Sequence, residues 1–317
     1  MGIKKITERQ VIGSFYKALA QNAGAEWIGD VSNYFTSDQE IEEYAWLGMT
    51  PAMREWIGGR NTKGFREESM QIRNKHYEAT LEVLVKDLRR DKTGQLMARI
   101  NEQARRANTH WASLLASLIV DGESSVCYDG QYFFDTDHEE GDSGAQSNNI
   151  LVDISALPVE IHGSTTVPAV AEFQHAIAKG VEQIVSFVDD QEEPMNEDAT
   201  AFTIMVPISF MNVALQAAAT PTQVGETQTV LQALKSNFSL KVVPTPRLAS
   251  WNNKFAMFRT DTYLKSLIRQ EEMGVKMKVK GQGSEFEFDN DAHQYGIDCW
   301  RNVGFGYWQN SCLITFE

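Results

Sequence analysis

The stretch YEATLEVLVKDLRRDKTGQLMARINEQARRANTHWASLLASLIVDG, Tyr77 to Gly122, carries two hydrophobic periods on either side of one breaker. Tyr77, Ala79, Leu81, Val83 and Val85 alternate with polar side chains, except at Leu84, and a period of two marks a strand. Beyond Asp91-Lys92-Thr93-Gly94 the apolar positions become Leu96, Ile100, Ala104, Ala107, Trp111, Leu114, Leu118 and Ile119, with Arg99, Arg105 and Arg106 on other sides. That spacing predicts the strongest helix of the chain, about 25 residues or roughly 40 Å, ended at Gly122.

Upstream of this stretch, an extended piece at Ser69 to Arg73 with Asn74 and Lys75 near a turn predicts a long hairpin with the Tyr77 strand. An isolated two-stranded hairpin is marginal in water, so it lies on something else. Residues 1 to 50 hold an amphipathic helix around Val11 to Ala20 and a second helical stretch near Glu40 to Leu47, without a core of their own. Gly58, Gly59 and Gly64 break helix in between.

Downstream, a loop-and-strand region reaches Ile161, and Pro168 opens a helix to Val185. From Ala199 to Gly225 no side chain is charged. Its length alone suits a membrane span, but Pro207, Ser209, Asn212 and Gln216 would each need partners in lipid. The reading is a buried strand, Phe202 to Val206, turning at Pro207 into a core helix to Ala219. Residues 226 to 260 read as helix, then strands at Leu240 to Val243 and Lys254 to Phe258. The tail alternates at Val275, Met277 and Val279 and at Phe286 and Phe288, and closes on an aromatic-rich strand pair. No internal repeat is visible.

The chain has 317 residues, 42% hydrophobic and 23% charged, the profile of a soluble globular protein with material for roughly two cores. A net charge of -14 argues against a protein that coats DNA, because phosphate neutralisation needs surplus Lys and Arg. Charge is uneven: residues 60 to 120 hold 12 basic and 7 acidic side chains, whereas residues 121 to 200 hold 18 acids and Lys179 alone. Two solvated faces explain this, and so does a complementary contact between copies. Lys4 and Lys5 are followed by Glu8 and Arg9 rather than an apolar core, and Ile6 stands where myristoylation needs Ser or Thr, which reads as non-exported and unlipidated.

Sites for chemistry are sparse. Cys127, Cys299 and Cys312 have no metal spacing and read as buried free thiols. The run Asp135, Asp137, His138, Glu139, Glu140 and Asp142 fits neither an EF-hand, where Glu140 would replace Gly, nor HExxH, where Asp142 replaces the second His. A solvated acidic loop is the expectation there, with no metal and no cofactor. Gly141-Asp142-Ser143-Gly144-Ala145 lacks the last Gly of GxSxG, no phosphate loop exists, and no catalytic residue is nominated.

Several strings carry a resemblance. YDGQYFFDTDH from Tyr128 to His138 resembles the signature of the Mu-like bacteriophage major head subunit; SEFEFDND from Ser284 to Asp291, YGIDCWRNVGFGYWQ from Tyr295 to Gln309 and Leu267 to Glu271 are similar to its C-terminal block. YEATLEVLVKDLRRD from Tyr77 to Asp91 is similar to its loop and helix junction. The family tends to have Pro after the His of the central signature, where this chain has Glu139.

The resemblance implies an α+β, Hong Kong 97-type phage capsid fold. Its parts would be an N-terminal arm (1-50), an extended hairpin loop (51-91), a peripheral domain with a spine helix (92-165), an axial domain (166-262) and a C-terminal return to the peripheral domain (263-317). It further implies a non-enzymatic protein that self-assembles into hexamers and pentamers of an icosahedral head around double-stranded DNA, built as a procapsid in the bacterial cytoplasm and found in the virion. Scaffolding protein, portal and decoration or head-completion proteins are the implied partners, with no membrane. The capsid prototype cross-links a Lys to an Asn beside a Glu, and Lys63 lies in a plausible hairpin position, but the expectation here is an uncross-linked shell. Lys86, Arg89, Arg90 and Lys92 are expected to meet carboxylates of a neighbouring copy. An encapsulin-like compartment, or a metal-dependent hydrolase built on Asp135 to Asp142, are the alternative readings.

Overall fold

The computed structural model describes residues 8–21, 24–44, 70–90, 94–219, 234 and 237–317. The long helix spans Gln95–Val120, labelled α4 below, and its 26 residues extend about 39 Å at roughly 1.5 Å each. Gly94 precedes it at φ 73, a left-handed conformation that costs a glycine little. Asp121 follows, its N–H bonded to the Ser117 carbonyl, and a short 3-10 turn continues to Glu123. The first half of α4 buries Leu96, Ile100, Ala104 and Ala107 in one core, and the second half buries Ala112, Leu115 and Ile119 in another. Trp111 and Leu118, expected on the buried stripe, are only partly covered, because over this length the buried face turns relative to a strict spacing.

The first of those cores is completed by α1 (Glu8–Gln21), whose Val11 and Phe15 are fully buried beside Tyr295 and Ile297. Asn108 of α4 donates to the Leu19 carbonyl, and the Met277 N–H donates to the Tyr16 hydroxyl. A segment without a core of its own thus takes its apolar cover from α4 of the same chain. After it come α2 (Trp27–Val31), β1 (Ser32–Thr36), β2 (Ile41–Tyr44), β3 (Met70–Arg73), β4 (Lys75–Leu84) and α3 (Val85–Arg90).

Pairing differs from expectation here. No hairpin joins β3 to β4: β3 runs antiparallel to β2, with Tyr44 opposite Met70, and β4 runs antiparallel to β10 (Ala292–Phe305), with Leu84 opposite Ala292 and Lys75 opposite Arg301. Alternation identified β4 as a strand but does not name its partner. Asn74 is a buried junction rather than a turn; its amide donates to Gln39 O at 2.8 Å, its N–H to Glu40 O, and its Oδ1 accepts from Gln270. The helix expected near Glu40 to Leu47 is a strand at Ile41–Tyr44, tied down by Tyr44 Oη donating to Gln270 Oε1 at 2.8 Å; residues 45–47 lie outside the described residues. So do Lys63, Lys92, the three loop glycines and residues 51–69 generally.

One sheet has the order β1-β9-β10-β4, with β9 at Leu267–Lys280 and β1 parallel to it. Between β9 and β10 lies α7 (Glu285–Asn290), so Phe286 and Phe288 sit on a short helix and not on the expected strand. The reason is capping: Ser284 accepts from the Glu287 N–H while Glu287 Oε2 accepts from the Gly283 N–H at 2.6 Å, and Gly283 and Asp291 take left-handed φ of 82 and 45.

The second sheet has the order β5-β11-β8-β6-β7, from β5 (Asn149–Val152), β11 (Ser311–Phe316), β8 (Lys254–Arg259), β6 (Ala201–Val206) and β7 (Ser239–Pro244). The expected terminal strand pair is therefore split, β10 belonging to the first sheet and β11 to the second, with Gly306 N–H bonded to Ser266 O at the crossing. Helices α5 (Val170–Val185) and α6 (Met211–Ala219) cover this sheet, and Phe173 stacks on Phe255 at 4.7 Å within the main core. Each such aromatic contributes on the order of 1.5–3 kcal/mol by leaving water. The described part of the uncharged run is the buried strand β6, as read, then Pro207 and α6, which is not the core helix expected: it buries Ala214 and Ala217 and leaves Met211 and Leu215 exposed; no helix among the described residues is long and apolar enough to cross a membrane. The helix expected after residue 226 lies outside the described residues apart from positions 234 and 237.

Candidate assembly interface

The central signature, Tyr128 to His138, folds into a sealed knot rather than an open loop. Asp129 accepts from Cys127 Sγ at 2.9 Å and from the Gln131 N–H at 3.1 Å, and lies 2.6 Å from His138 Nδ1. His138 is 0% exposed and stacks on Trp308 with ring centroids 4.0 Å apart. Glu140, 4% exposed, accepts from Tyr128 Oη, from Trp308 Nε1 at 3.1 Å and from Gln309 Nε2 at 2.8 Å.

The solvated acidic loop expected over Asp135 to Asp142 is thus only half right. Asp137, Glu139 and Asp142 are exposed, but His138 and Glu140 are core groups held by the 3-10 turn Trp308–Asn310, about 170 residues away in sequence. Burial raises the Glu140 carboxyl above its ordinary range despite the three donors. Burial also raises the Asp129 carboxyl, but hydrogen bonds from His138 and Cys127 outweigh it and hold this group below its ordinary value. The Cys127 thiol is pushed up by burial and by Asp129, so it remains a donor. Cys127, Asp129 and His138 bring ligand atoms within 4.8 Å of one another. They supply three donors where structural zinc takes four, and the hydrogen bonds among them already account for each. All three cysteines are free and buried.

Three members of the expected basic contact group, Lys86, Arg89 and Arg90, lie on α3. Lys86 is exposed on α3, while Arg89 and Arg90 are in its last turn and not on a strand, because the alternation ends where Val85 turns inward. The side chains of Arg89 and Arg90, and all of Lys92, lie outside the described residues. On α4, Arg105 and Arg106 grip Glu102 at 2.7 and 3.2 Å and hold its carboxyl down at about 2. Arg99 is exposed and has no carboxylate partner among the described residues.

Between α4 and the first sheet runs a groove of about 640 Å³ with Leu81, Val275 and Ile297 in its apolar lining and Arg99 and Arg106 beside them. Three buried polar atoms of its lining have no partner: Gln103 Oε1, Asp298 Oδ1 and Arg301 Nε. His110, also in the lining, is held down at about 4 by burial and then by Arg301. Strand β4 bounds this groove and is the last strand of its sheet, so no strand among the described residues pairs with its outer edge. Neither the knot nor the groove was readable from the sequence, since both join β10 or its sequel to segments far upstream.

Residues 7–156 match the Mu-like prophage major head subunit gpT family. That stretch contains α1, α4 and the whole Tyr128 to His138 knot, the same family to which the signature strings are similar. Among curated relatives, the Mu-like prophage FluMu major head subunit of Haemophilus influenzae is 34% identical over 112 residues, 35% of this chain and 36% of that protein. The major capsid protein of Escherichia phage Mu is 35% identical over 102 residues, 32% and 33% of the two chains. The alignments thus span about a third of the length of these head proteins. Among solved structures, the procapsid of bacteriophage JBD30 covers 98% of this chain and 77% of its own with a TM-score of 0.55 at 23% identity. The fold is the Hong Kong 97-type phage capsid fold, an α+β arrangement that covers the parts of the chain beyond the gpT match.

Proposed function

We propose that this chain is the major capsid protein of a Mu-like phage, assembling with itself into the hexamers and pentamers of an icosahedral head around double-stranded DNA. The observation that carries this reading is the gpT match over residues 7–156 joined to a phage procapsid fold over 98% of the chain. In its terms α4 is the spine of a peripheral domain, 92-165 with the return 263-317, and the five-stranded sheet belongs to an axial domain, 166-262. Residues 1-50 and 51-91 are the arm and extended loop of that scheme, with α1 docked on α4 and β4 paired to β10 within the chain.

The physical arrangement supports a building block rather than a catalyst. The most polar buried cluster is internally satisfied and sealed, whereas the outer edge of β4 is unpaired among the described residues and suits completion by another chain. An acidic wall does not trap packaged DNA. Scaffolding protein, portal and decoration proteins are the further partners of this reading, with assembly in the host cytoplasm before incorporation into the virion. Mass spectrometry of particles purified from a producing host tests it: this chain should be the most abundant component, and its absence from the particles would overturn the assignment.

A further inference from the structure

We propose that His138 is a fixed imidazolium, a buried cation that locks the joint between the two sheets of this chain; that this joint is the one between peripheral and axial domains rests on the shell reading above. Both ring nitrogens face acceptors. Nδ1 lies 2.6 Å from Asp129 Oδ2, and Nε2 lies 3.3 Å from Asn148 Oδ1. A neutral ring has a single N–H, so it would serve one of these oxygens and turn a lone pair on the other.

The surroundings fix both oxygens as acceptors. Asp129 takes hydrogen bonds from Cys127 Sγ and from the Gln131 N–H, and its carboxyl is held below the ordinary value, so it brings no proton of its own. Asn148 Nδ2 donates to the Phe133 carbonyl at 2.7 Å, while its Oδ1 also accepts from the Asp135 N–H at 2.9 Å. Turning that amide over would set oxygen against oxygen and N–H against N–H, so the ring must donate to Oδ1. The side chains of His138 and Asp129 are 0% and 2% exposed, and opposite charges at hydrogen-bond distance replace the water that each has lost. Trp308 adds an aromatic face for the cation, its ring within 8° of parallel at a centroid distance of 4.0 Å. Glu140, the other buried carboxyl of the knot, is taken by Tyr128, Trp308 and Gln309.

The lock sits where the chain passes from one sheet to the other. Trp308 lies between the end of β10 and the start of β11, Asn148 precedes β5 and accepts from the Leu313 N–H of β11, and Asp129 and His138 belong to the loop that follows α4. One charged ring thus ties together three segments, and removing its counter-ion would leave a buried cation unpaired, which costs more than a lost neutral hydrogen bond.

Nitrogen NMR of the full-length chain, isotope-labelled at histidine and held at neutral pH, tests this in particles or in subunits. His138 is recognised among the six histidines by its contact with the Trp308 indole. Two ring nitrogens, each carrying a slowly exchanging proton, are expected; a ring nitrogen without a proton would overturn the proposal. Asp129→Asn should abolish one of the two ring protons and speed amide exchange at His138 and Leu313 roughly tenfold, while α1 keeps its protection. A ring that stays doubly protonated in that variant would deny Asp129 the part of counter-ion and sink the lock, and if the variant does not fold the parent spectrum decides alone. A single ring proton in intact particles removes the lock and leaves the shell reading standing. Two ring protons in a chain that forms no particles keep the lock and remove only its place in a shell.

Discussion

Glu140 and Asp129 sit in one knot and titrate in opposite senses. Glu140 has a folded value raised by burial, so the native state binds its proton more tightly than the unfolded chain. Its contribution is therefore greatest at low pH and is lost as pH rises from the ordinary glutamate value through the raised one. Asp129 has a lowered value, and its contribution is present above the ordinary aspartate range and lost as pH falls through the folded value. Glu140→Gln keeps an acceptor for Tyr128, Trp308 and Gln309 while removing the titration. Its melting temperature should therefore lack the decline expected of the parent chain as pH rises above the ordinary glutamate value. A parallel decline in both proteins would show that another group controls it. Nothing local marked these residues as core: Asp135 to Asp142 is an acidic run, and distant Trp308 and Gln309 bury His138 and Glu140 within it.

At the scale of elements, α4 is what organises the molecule, because one helix enters two cores. Its first half depends on α1, where Phe15 is fully buried. Phe15→Ala should cost about 3–5 kcal/mol of local packing, in line with large-to-small core changes. Amide exchange over residues 8–21 should then accelerate while β8 and β11, in the other core, keep their protection; loss of protection in both would mean that the two cores unfold as one. Helices α4 and α5 and strands β6 to β9 were legible because their periods are local. The β3 and β4 hairpin was misread because register depends on the partners β2 and β10, which periodicity does not name. The strand expected at Phe286 and Phe288 failed for a different reason: Ser284 and Glu287 form a helix cap that overrides a two-residue alternation.

For the whole molecule, the account turns on surfaces that are complete only between copies. The uneven charge, basic over 60 to 120 and acidic over 121 to 200, fits that requirement. Each exposed ion pair is worth only about 0.2–1 kcal/mol, but a shell repeats it in every subunit. Arg89→Glu combined with Arg90→Glu should leave circular dichroism nearly unchanged and reduce assembly, with a defect that depends on salt because the interaction is screened over about 8–10 Å. Normal particle yield from this double reversal at low salt would show that the two arginines face solvent.

The central claim is that this chain builds a closed shell. Negative-stain electron microscopy of the expressed full-length protein tests it most directly. The account predicts closed icosahedral particles or their hexameric and pentameric capsomers; a field of well-folded single subunits at high protein concentration, with no larger assembly, would contradict it.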